Sequence, residues 1–274
     1  MRPVTTIDQV FEAMQRARTG ASAFCTNLFP DRVRLQGWVD HGELLNCDGD
    51  GTTLFLRRDR DFHHLYYCAP SFASLQAALA GFPELAEQRV SVDLIGAEDA
   101  LGESQTVLRE CGFRPRARLV RLVRGLQEPV SPAAAVTAEV TQALPSDCAA
   151  ILALLEQGFD RYVDQLPTPY EMEAAIAASQ VWLIKSADQL AALLHFEVQG
   201  LTSTVRYWAV DPRFRALRYG AALIRHYFAA HPRVRRFILW VRADNEDALA
   251  KYRHYGYAPD GLVDHVLMNA AFSQ

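Results

Sequence analysis

A chain of 274 residues, half of them hydrophobic, has room for a sizeable core and for one large or two ordinary domains. No apolar run approaches the ~18 residues of a membrane span, and a formal net charge of −4 argues against nucleic acid as the main partner. Five scattered cysteines (Cys25, Cys47, Cys68, Cys111 and Cys148) form no CxxC, which argues against a disulfide framework or a zinc site, so no metal is expected.

The N-terminal stretch MRPVTTIDQVFEAMQRARTG lacks the apolar region of a signal peptide. It reads as an amphipathic helix with Thr6 as its cap, and a cytoplasmic location is the default expectation. Further on, HLYYCA reads as a strand that runs into Pro70, followed by the helical SFASLQAALAGF. The first half closes on VSVDLIGAEDALGESQTVLRECGFRPRARLVRLVR, which reads as strand, helix, glycine-aromatic pair and alternating strand. Residues 125–136, GLQEPVSPAAAV, hold two prolines and a run of small residues, and predict a linker. The domain division that follows is 1–127, a linker at 128–135, and 136–274.

In the second half, strand 136–141 leads to a helix over about 146–157, with Ser146 or Asp147 near its cap. Residues 158–167 read as loop. Thr168 and Glu171 form a capping box with Pro169 at the first helical position. Residues 181–185 and 190–199 predict a hairpin, followed by strand 203–210. Helix 216–230 carries Leu217, Ala221, Ile224 and Phe228 on one stripe. Strand 236–242, helix 245–254 and a final strand pair near 256–269 complete the chain. This half ends in the same order as the first, and Gly112-Phe113 lies 144 residues (256 − 112) before Gly256-Tyr257. So loose a repeat suggests a tandem of two related domains.

The most informative segment is VRYWAVDPRFRALRYGAALIRHYF, residues 205–228. An apolar strand ends at Val210, Pro212 stops the ladder, and Gly220 sits in the first turns of an amphipathic helix. A strand, a turn and a helix N-terminus leave backbone N–H groups pointing into one space, where the helix dipole favours an anion. That arrangement suits a phosphate or pyrophosphate, and the arginines at 213, 215, 218, 225, 233, 235 and 236 are compatible with a polyphosphate ligand. For those outside the turn, a solvated face is the plainer reading.

Residues Val210-Asp211-Pro212-Arg213-Phe214-Arg215-Ala216-Leu217-Arg218-Tyr219-Gly220-Ala221 resemble the V-D-P-x-x-R-G-x-G-x-G/A acyl-CoA motif of the GNAT (GCN5-related) N-acetyltransferases. Arg215 and Gly220 match. Arg218 stands where the family usually has the middle glycine, and Ala216 replaces another small residue. Independently, Asn245, Ala248, Tyr252, Gly256 and Tyr257 follow the family's N-x-x-A-x-x-x-Y and glycine-aromatic pattern. The resemblance covers about residues 136–270. It implies an α/β (α+β) fold of two GNAT-like domains, each a mixed, mostly antiparallel sheet flanked by helices. The first half has no arginine-glycine turn, so residues 1–127 read as a degenerate GNAT-like domain without a CoA motif. An unrelated α/β domain is the alternative there.

The resemblance implies transfer of an acetyl group from acetyl-CoA, a co-substrate, to a primary amine of a small molecule or peptide. Backbone amides of Arg215, Ala216, Leu217, Arg218, Tyr219, Gly220 and Ala221 would cradle the pyrophosphate. The strand end Trp208-Ala209-Val210 would pair with pantetheine amides as an added strand. Asn245 starts the next helix on the cofactor side. Tyr252 occupies the position from which a family tyrosine protonates the leaving sulfur; a core aromatic is the plain alternative. Glu197 leads as general base, with His195 on the same strand face as its rival. In the loop, Asp160 and Asp164 are candidates to attract a cationic amine, and Tyr162 to stack on it. No membrane and no nucleic acid are expected as partners, and the oligomeric state, a homodimer included, stays open. The competing reading is a non-catalytic acyl-CoA-binding or interaction scaffold, favoured by Arg218 and opposed by the retained Asn245, Ala248 and Tyr252. A longer acyl group than acetyl is a third.

Overall fold

The computed structural model describes residues 1–19, 21, 23–29, 31–125 and 138–273. They fall into two compact units, Met1–Leu119 with Gly261–Gln274, and Val120–Asp260. The expected linker lies outside the described residues apart from Gly125.

Unit one opens with β1 (Arg2–Pro3) and α1 (Ile7–Arg18). Thr6 is the N-cap of α1, and Gln9 accepts from its backbone N–H at 3.2 Å. Then come β2 (Cys25–Thr26), α2 (Arg32–Asp40), β3 (Leu44–Gly49), β4 (Thr52–Asp59), β5 (Phe62–Ala69), α3 (Phe72–Ala80), β6 (Val90–Ala97), α4 (Gly102–Glu110) and β7 (Arg114–Gly125). β3, β4 and β5 form an antiparallel meander, and β5 pairs β6 in parallel through His63↔Val90 and His64↔Ser91. A parallel neighbour requires a crossover, which α3 supplies.

Unit two repeats the order: β8 (Thr141–Gln142), α5 (Cys148–Gly158), α6 (Pro169–Ala177), β9 (Val181–Ser186), β10 (Gln189–Gln199), β11 (Thr202–Val210), α7 (Tyr219–Ala230), β12 (Arg236–Arg242), α8 (Glu246–His254) and β13 (Ala258–Met268), whose residues from 261 onward belong to unit one. β9, β10 and β11 are antiparallel, and β11 pairs β12 in parallel. Alternation along the strands splits the core in two. Leu183, Leu193 and Tyr207 pack against Ile151, Leu155, Met172 and Ile176 of α5 and α6. Trp182, Leu194, Phe196 and Val205 pack against Leu223, Ile224 and Tyr227 of α7. Each such leucine or isoleucine contributes about 1.5–3 kcal/mol on burial. The fold is thus mixed α/β, with mostly antiparallel sheet flanked by helices.

The repeat visible in the sequence is structural. Gly112 and Gly256 follow α4 and α8 with φ of 92° and 79°, the left-handed conformation that ends a helix at glycine. Phe113 and Tyr257, next in sequence, are both 2% exposed.

Two expectations need correction. The helix expected over 216–230 begins at Tyr219, because Pro212–Leu217 form a 3₁₀ turn and Arg218 takes a left-handed conformation. Leu217 is therefore exposed, and the buried stripe is Gly220, Leu223, Ile224 and Tyr227. The final strand pair is one long strand, β13, with no reversal between its halves. By compactness, unit one ends at Leu119 and resumes at Gly261. Residues 261–274 cluster with unit one because β13 pairs β6 from Leu262↔Ala97 to Met268↔Ser91.

Candidate active site

The parallel ladder of β11 and β12 runs from Thr202↔Arg236 to Val205↔Leu239 and stops there, although β11 continues to Val210 and β12 to Arg242. The two strands part at Arg206. On its other edge β11 stays paired to β10, with a bulge between His195 and Phe196. Bulges re-aim side chains and are over-represented beside active sites. Beyond that point the β12-facing edge of Trp208–Val210 has no ladder partner in β12.

The end of β11 leads into the anion-binding turn. Asp211 caps the 3₁₀ turn through the Arg213 backbone N–H at 2.9 Å and holds the Arg213 guanidinium at 2.7 Å. That guanidinium fork, and the Arg213 bond to Gln189 at 3.1 Å, commit Arg213 to the turn itself. Arg218 then adopts φ 56° and ψ 24°, and no side chain caps α7. The first-turn N–H groups of Tyr219, Gly220 and Ala221 have no intrahelical acceptors, so the helix presents its donors and its positive dipole end together. The left-handed residue explains why glycine suits this position: a side chain there costs about 1–2 kcal/mol. Arg218 keeps the geometry at that cost, with its side chain exposed.

Gly220 has a different reason. A Cβ at that position would lie 3.0 Å from Val210 Cγ2 and 3.3 Å from Trp208 Nε1, so only glycine lets α7 approach β11 so closely. The Trp208 indole N–H beside it is buried without an acceptor among the described residues. An uncapped helix end, a cradle that a Cβ would fill and an orphaned donor together fit the phosphates of an acyl-CoA.

Asn245 caps α8, its side chain accepting from the Ala248 N–H at 3.0 Å. One face of α8 then carries Ala248 and Tyr252 into the α7-side core. The Tyr252 ring lies 5.7 Å from Trp208 and 6.0 Å from Tyr257. Burial, and secondly the charge of Asp164, push its phenol up to about 12, so it stays protonated across the physiological range.

The other carboxylates differ from one another. Glu197 pairs with Thr204, where β11 is still laddered to β12. Its carboxylate lies 3.6 Å from the Arg206 guanidinium, with its side chain 40% exposed. His195 is buried opposite Tyr207, the rings 5.7 Å apart. The 158–167 loop is a tight local structure: Asp160 Oδ1 accepts from Tyr162 N at 3.0 Å, and Asp164 Oδ2 accepts from Asp160 N at 2.8 Å. Tyr162 takes a hydrogen bond from the Arg161 guanidinium at 2.7 Å, which also covers its ring. Asp160 and Asp164 thus come together in one turn, and the Asp164 charge is felt at Tyr252. The proximity of Asp164 to Tyr252 spans residues far apart in sequence and gave no sequence signal.

In unit one the equivalent features are filled. After His64↔Ser91 the strands β5 and β6 part, but β2 pairs the exposed edge of β5 through Cys25↔Ala69 and Thr26↔Cys68. Asn27 then bridges the gap. Its amide donates to Leu65 O at 2.9 Å and Asp93 O at 3.1 Å, and its carbonyl accepts from Tyr67 N at 2.9 Å. The helix beyond, α3, has its N-terminus capped by Ser71, which accepts from Ser74 N at 3.1 Å. Neither a free strand edge nor an uncapped helix end remains there.

The match of the acetyltransferase (GNAT) family model spans residues 149–257. Over those residues the chain is a GNAT-family domain. That domain contains the parted strands, the uncapped α7 and Tyr252. Among solved structures, the whole chain is similar to a tandem GNAT protein from the clavulanic acid biosynthesis pathway, at 12% identity over 98% of both chains with a TM-score of 0.62. It is also similar to a GCN5-related N-acetyltransferase from Kribbella flavida (17% identity, 86% of this chain and 93% of that one, TM-score 0.61). A third is a GCN5-related N-acetyltransferase from Sphaerobacter thermophilus (17% identity, 80% and 76%, TM-score 0.59). At these identities the likeness establishes the fold, here the tandem GNAT fold. No curated protein matches the sequence. Among the described residues no helix is long and apolar enough to cross a membrane.

Proposed function

We propose that the protein is an N-acyltransferase that moves an acetyl group from acetyl-CoA to a primary amine, by direct attack in a ternary complex in unit two. The uncapped N-terminus of α7, next to the point where β11 and β12 part, carries this reading. When bound, the co-substrate would supply an activated thioester acyl group.

The chain's own residues have four tasks. Backbone N–H groups from Arg215 to Ala221, with Gly220 as the point of close approach, bind and orient the pyrophosphate. The free edge of Trp208-Ala209-Val210 holds the pantetheine arm, and a backbone N–H of that strand end polarises the thioester carbonyl. Tyr252, held protonated, donates from its hydroxyl to the departing sulfur. A carboxylate on the α5–α6 side takes the proton of the amine, Glu197 and Asp164 being the two at hand. Asp160 and Tyr162 line the approach of a cationic acceptor.

The scaffold alternative rests on Arg218 closing the cradle. Its left-handed backbone and exposed side chain weigh against that reading. The test is release of free CoA thiol from acetyl-CoA in the presence of a panel of amino acids, dipeptides, polyamines and aminoglycosides. Thiol release that depends on one acceptor class supports the enzyme. Tight acetyl-CoA binding with no transfer to any of them would favour the scaffold.

A further inference from the structure

We propose that Asp164 is the general base of unit two: the loop that carries it is fastened to both of the strands that part, which sets that loop beside the gap where an acyl group and an amine would meet. This rests on the acyltransferase reading above and deepens it.

The fastening is specific. On one side the Tyr207 hydroxyl, from the parted end of β11, donates to Gln165 O at 2.7 Å and to Asp164 O at 3.2 Å. On the other, Arg242 at the end of β12 lies 3.9 Å from the Asp160 carboxylate. Between these anchors the chain turns tightly. The Asp164 N–H donates to Asp160 O at 2.8 Å, and Gln165 is held at φ 47°, a left-handed conformation that non-glycine residues adopt at a cost. A turn held from both strands, with Asp164 Oδ2 accepting from the Asp160 N–H at 2.8 Å, restrains that side chain far better than a solvated loop would.

The groups facing Asp164 are Asp160 of its own loop, Arg242 of β12, Tyr207 of β11 and Tyr252 of α8. Burial and the neighbouring Asp160 charge raise the carboxyl to about 6, against the opposing pull of the Asp160 N–H and of Arg242. A carboxylate near that value is ionised at neutral pH yet accepts a proton far better than an ordinary aspartate. Glu197 is placed differently: it pairs with Thr204, where β11 is still laddered to β12, and its carboxylate is ion-paired to Arg206. Its part is to hold the Arg206 side chain.

The protons balance with two side chains. An amine arriving as an ammonium ion first gives one proton to solvent. As its nitrogen bonds to the acyl carbon, its second proton passes to the Asp164 carboxylate. The carbon–sulfur bond breaks, and the sulfur takes the Tyr252 hydroxyl proton. The proton on Asp164 then passes to the tyrosinate, and both residues end as they began. The charge of Asp164 is felt at Tyr252 and helps to hold its phenol protonated.

The experiment compares wild type, Asp164→Asn and Asp164→Glu in three readouts. The first is kcat against pH with the best acceptor from the amine panel. The second is acetyl-CoA affinity by calorimetry. The third, independent of turnover, is titration of the Asp164 carboxyl carbon by NMR in the ligand-free protein, assigned by its loss in Asp164→Asn. The expected result is a kcat about 100-fold or more lower in Asp164→Asn, acetyl-CoA affinity within twofold of wild type, partial recovery in Asp164→Glu, and a wild-type carboxyl titrating near pH 6. The acid limb of the wild-type kcat profile should follow that titration and vanish in Asp164→Asn. A kcat within threefold of wild type, an acid limb unchanged in the variant, or a carboxyl titrating near 4 overturns the assignment while leaving the acyltransferase reading intact. Wild-type protein that binds acetyl-CoA and acylates nothing overturns both.

Discussion

The two units share one order of elements and treat the same gap in opposite ways. In each, a strand pairs its parallel neighbour briefly and then parts from it, at His64↔Ser91 in unit one and at Val205↔Leu239 in unit two. Unit one fills the gap from within, with β2 on the strand edge and Asn27 bonded across it. It also caps its helix with Ser71. Unit two leaves the strand edge and the α7 donors without such partners, and pays for a left-handed Arg218 to aim them. Buried or half-buried backbone groups must be satisfied by something. One unit satisfies them with its own chain, and in the other the proposed acyl-CoA would do so. The two units thus differ at the two-residue strand β2, at Asn27 and at one helix cap.

The largest break in this comparison comes from Gly220→Asp. A Cβ there meets Val210 Cγ2 at 3.0 Å, and its carboxylate would face the phosphates. Acetyl-CoA affinity should fall at least about 100-fold, as read by calorimetry. Next is Tyr252→Phe, which keeps the ring against Trp208 and removes only the donor. Turnover should drop on the order of 100-fold with acetyl-CoA affinity unchanged; unaltered turnover would remove Tyr252 from the mechanism.

Asn27→Ala sharpens the comparison from the other side. It strands two carbonyls and one N–H in a buried gap, so thermal or urea unfolding should report a loss of about 1–3 kcal/mol. Acetyl-CoA binding by the folded fraction should stay unchanged, because the plug is not part of the site. The smallest effect belongs to Arg218→Gly. Relief of the left-handed side chain, offset by the greater freedom of glycine in the unfolded chain, should leave a net gain of up to about 1 kcal/mol. Melting temperature measures it, and acetyl-CoA affinity should hold or improve.

Local chemistry was legible in the sequence. The Thr168–Glu171 capping box, the Asn245 cap and strand 236–242 stand where their residues predict. So do the two helix-ending glycines, since a left-handed C′ position has few other solutions. The motif around Arg215 and Gly220 lies at the parted strands, but the missing glycine at Arg218 gave no means to tell a preserved turn from a lost one. Backbone conformation answers that, and composition does not. Long-range pairing was not legible. β13 joining β6, and a two-residue β2 entering the gap of unit one, depend on partners scores of residues away and have no periodicity of their own. The approach of Asp164 to Tyr252 was hidden for the same reason, so a loop aspartate looked no different from a solvated one.

One open gap and one plugged gap per chain imply a single acetyl-CoA site. Calorimetric titration of acetyl-CoA into the intact protein tests it most directly, with Gly220→Asp as the control. The account predicts saturable binding at one site per chain, lost in Gly220→Asp. Two sites per chain would show that Asn27 does not close unit one, and no saturable binding to folded wild-type protein would show that unit two is closed as well.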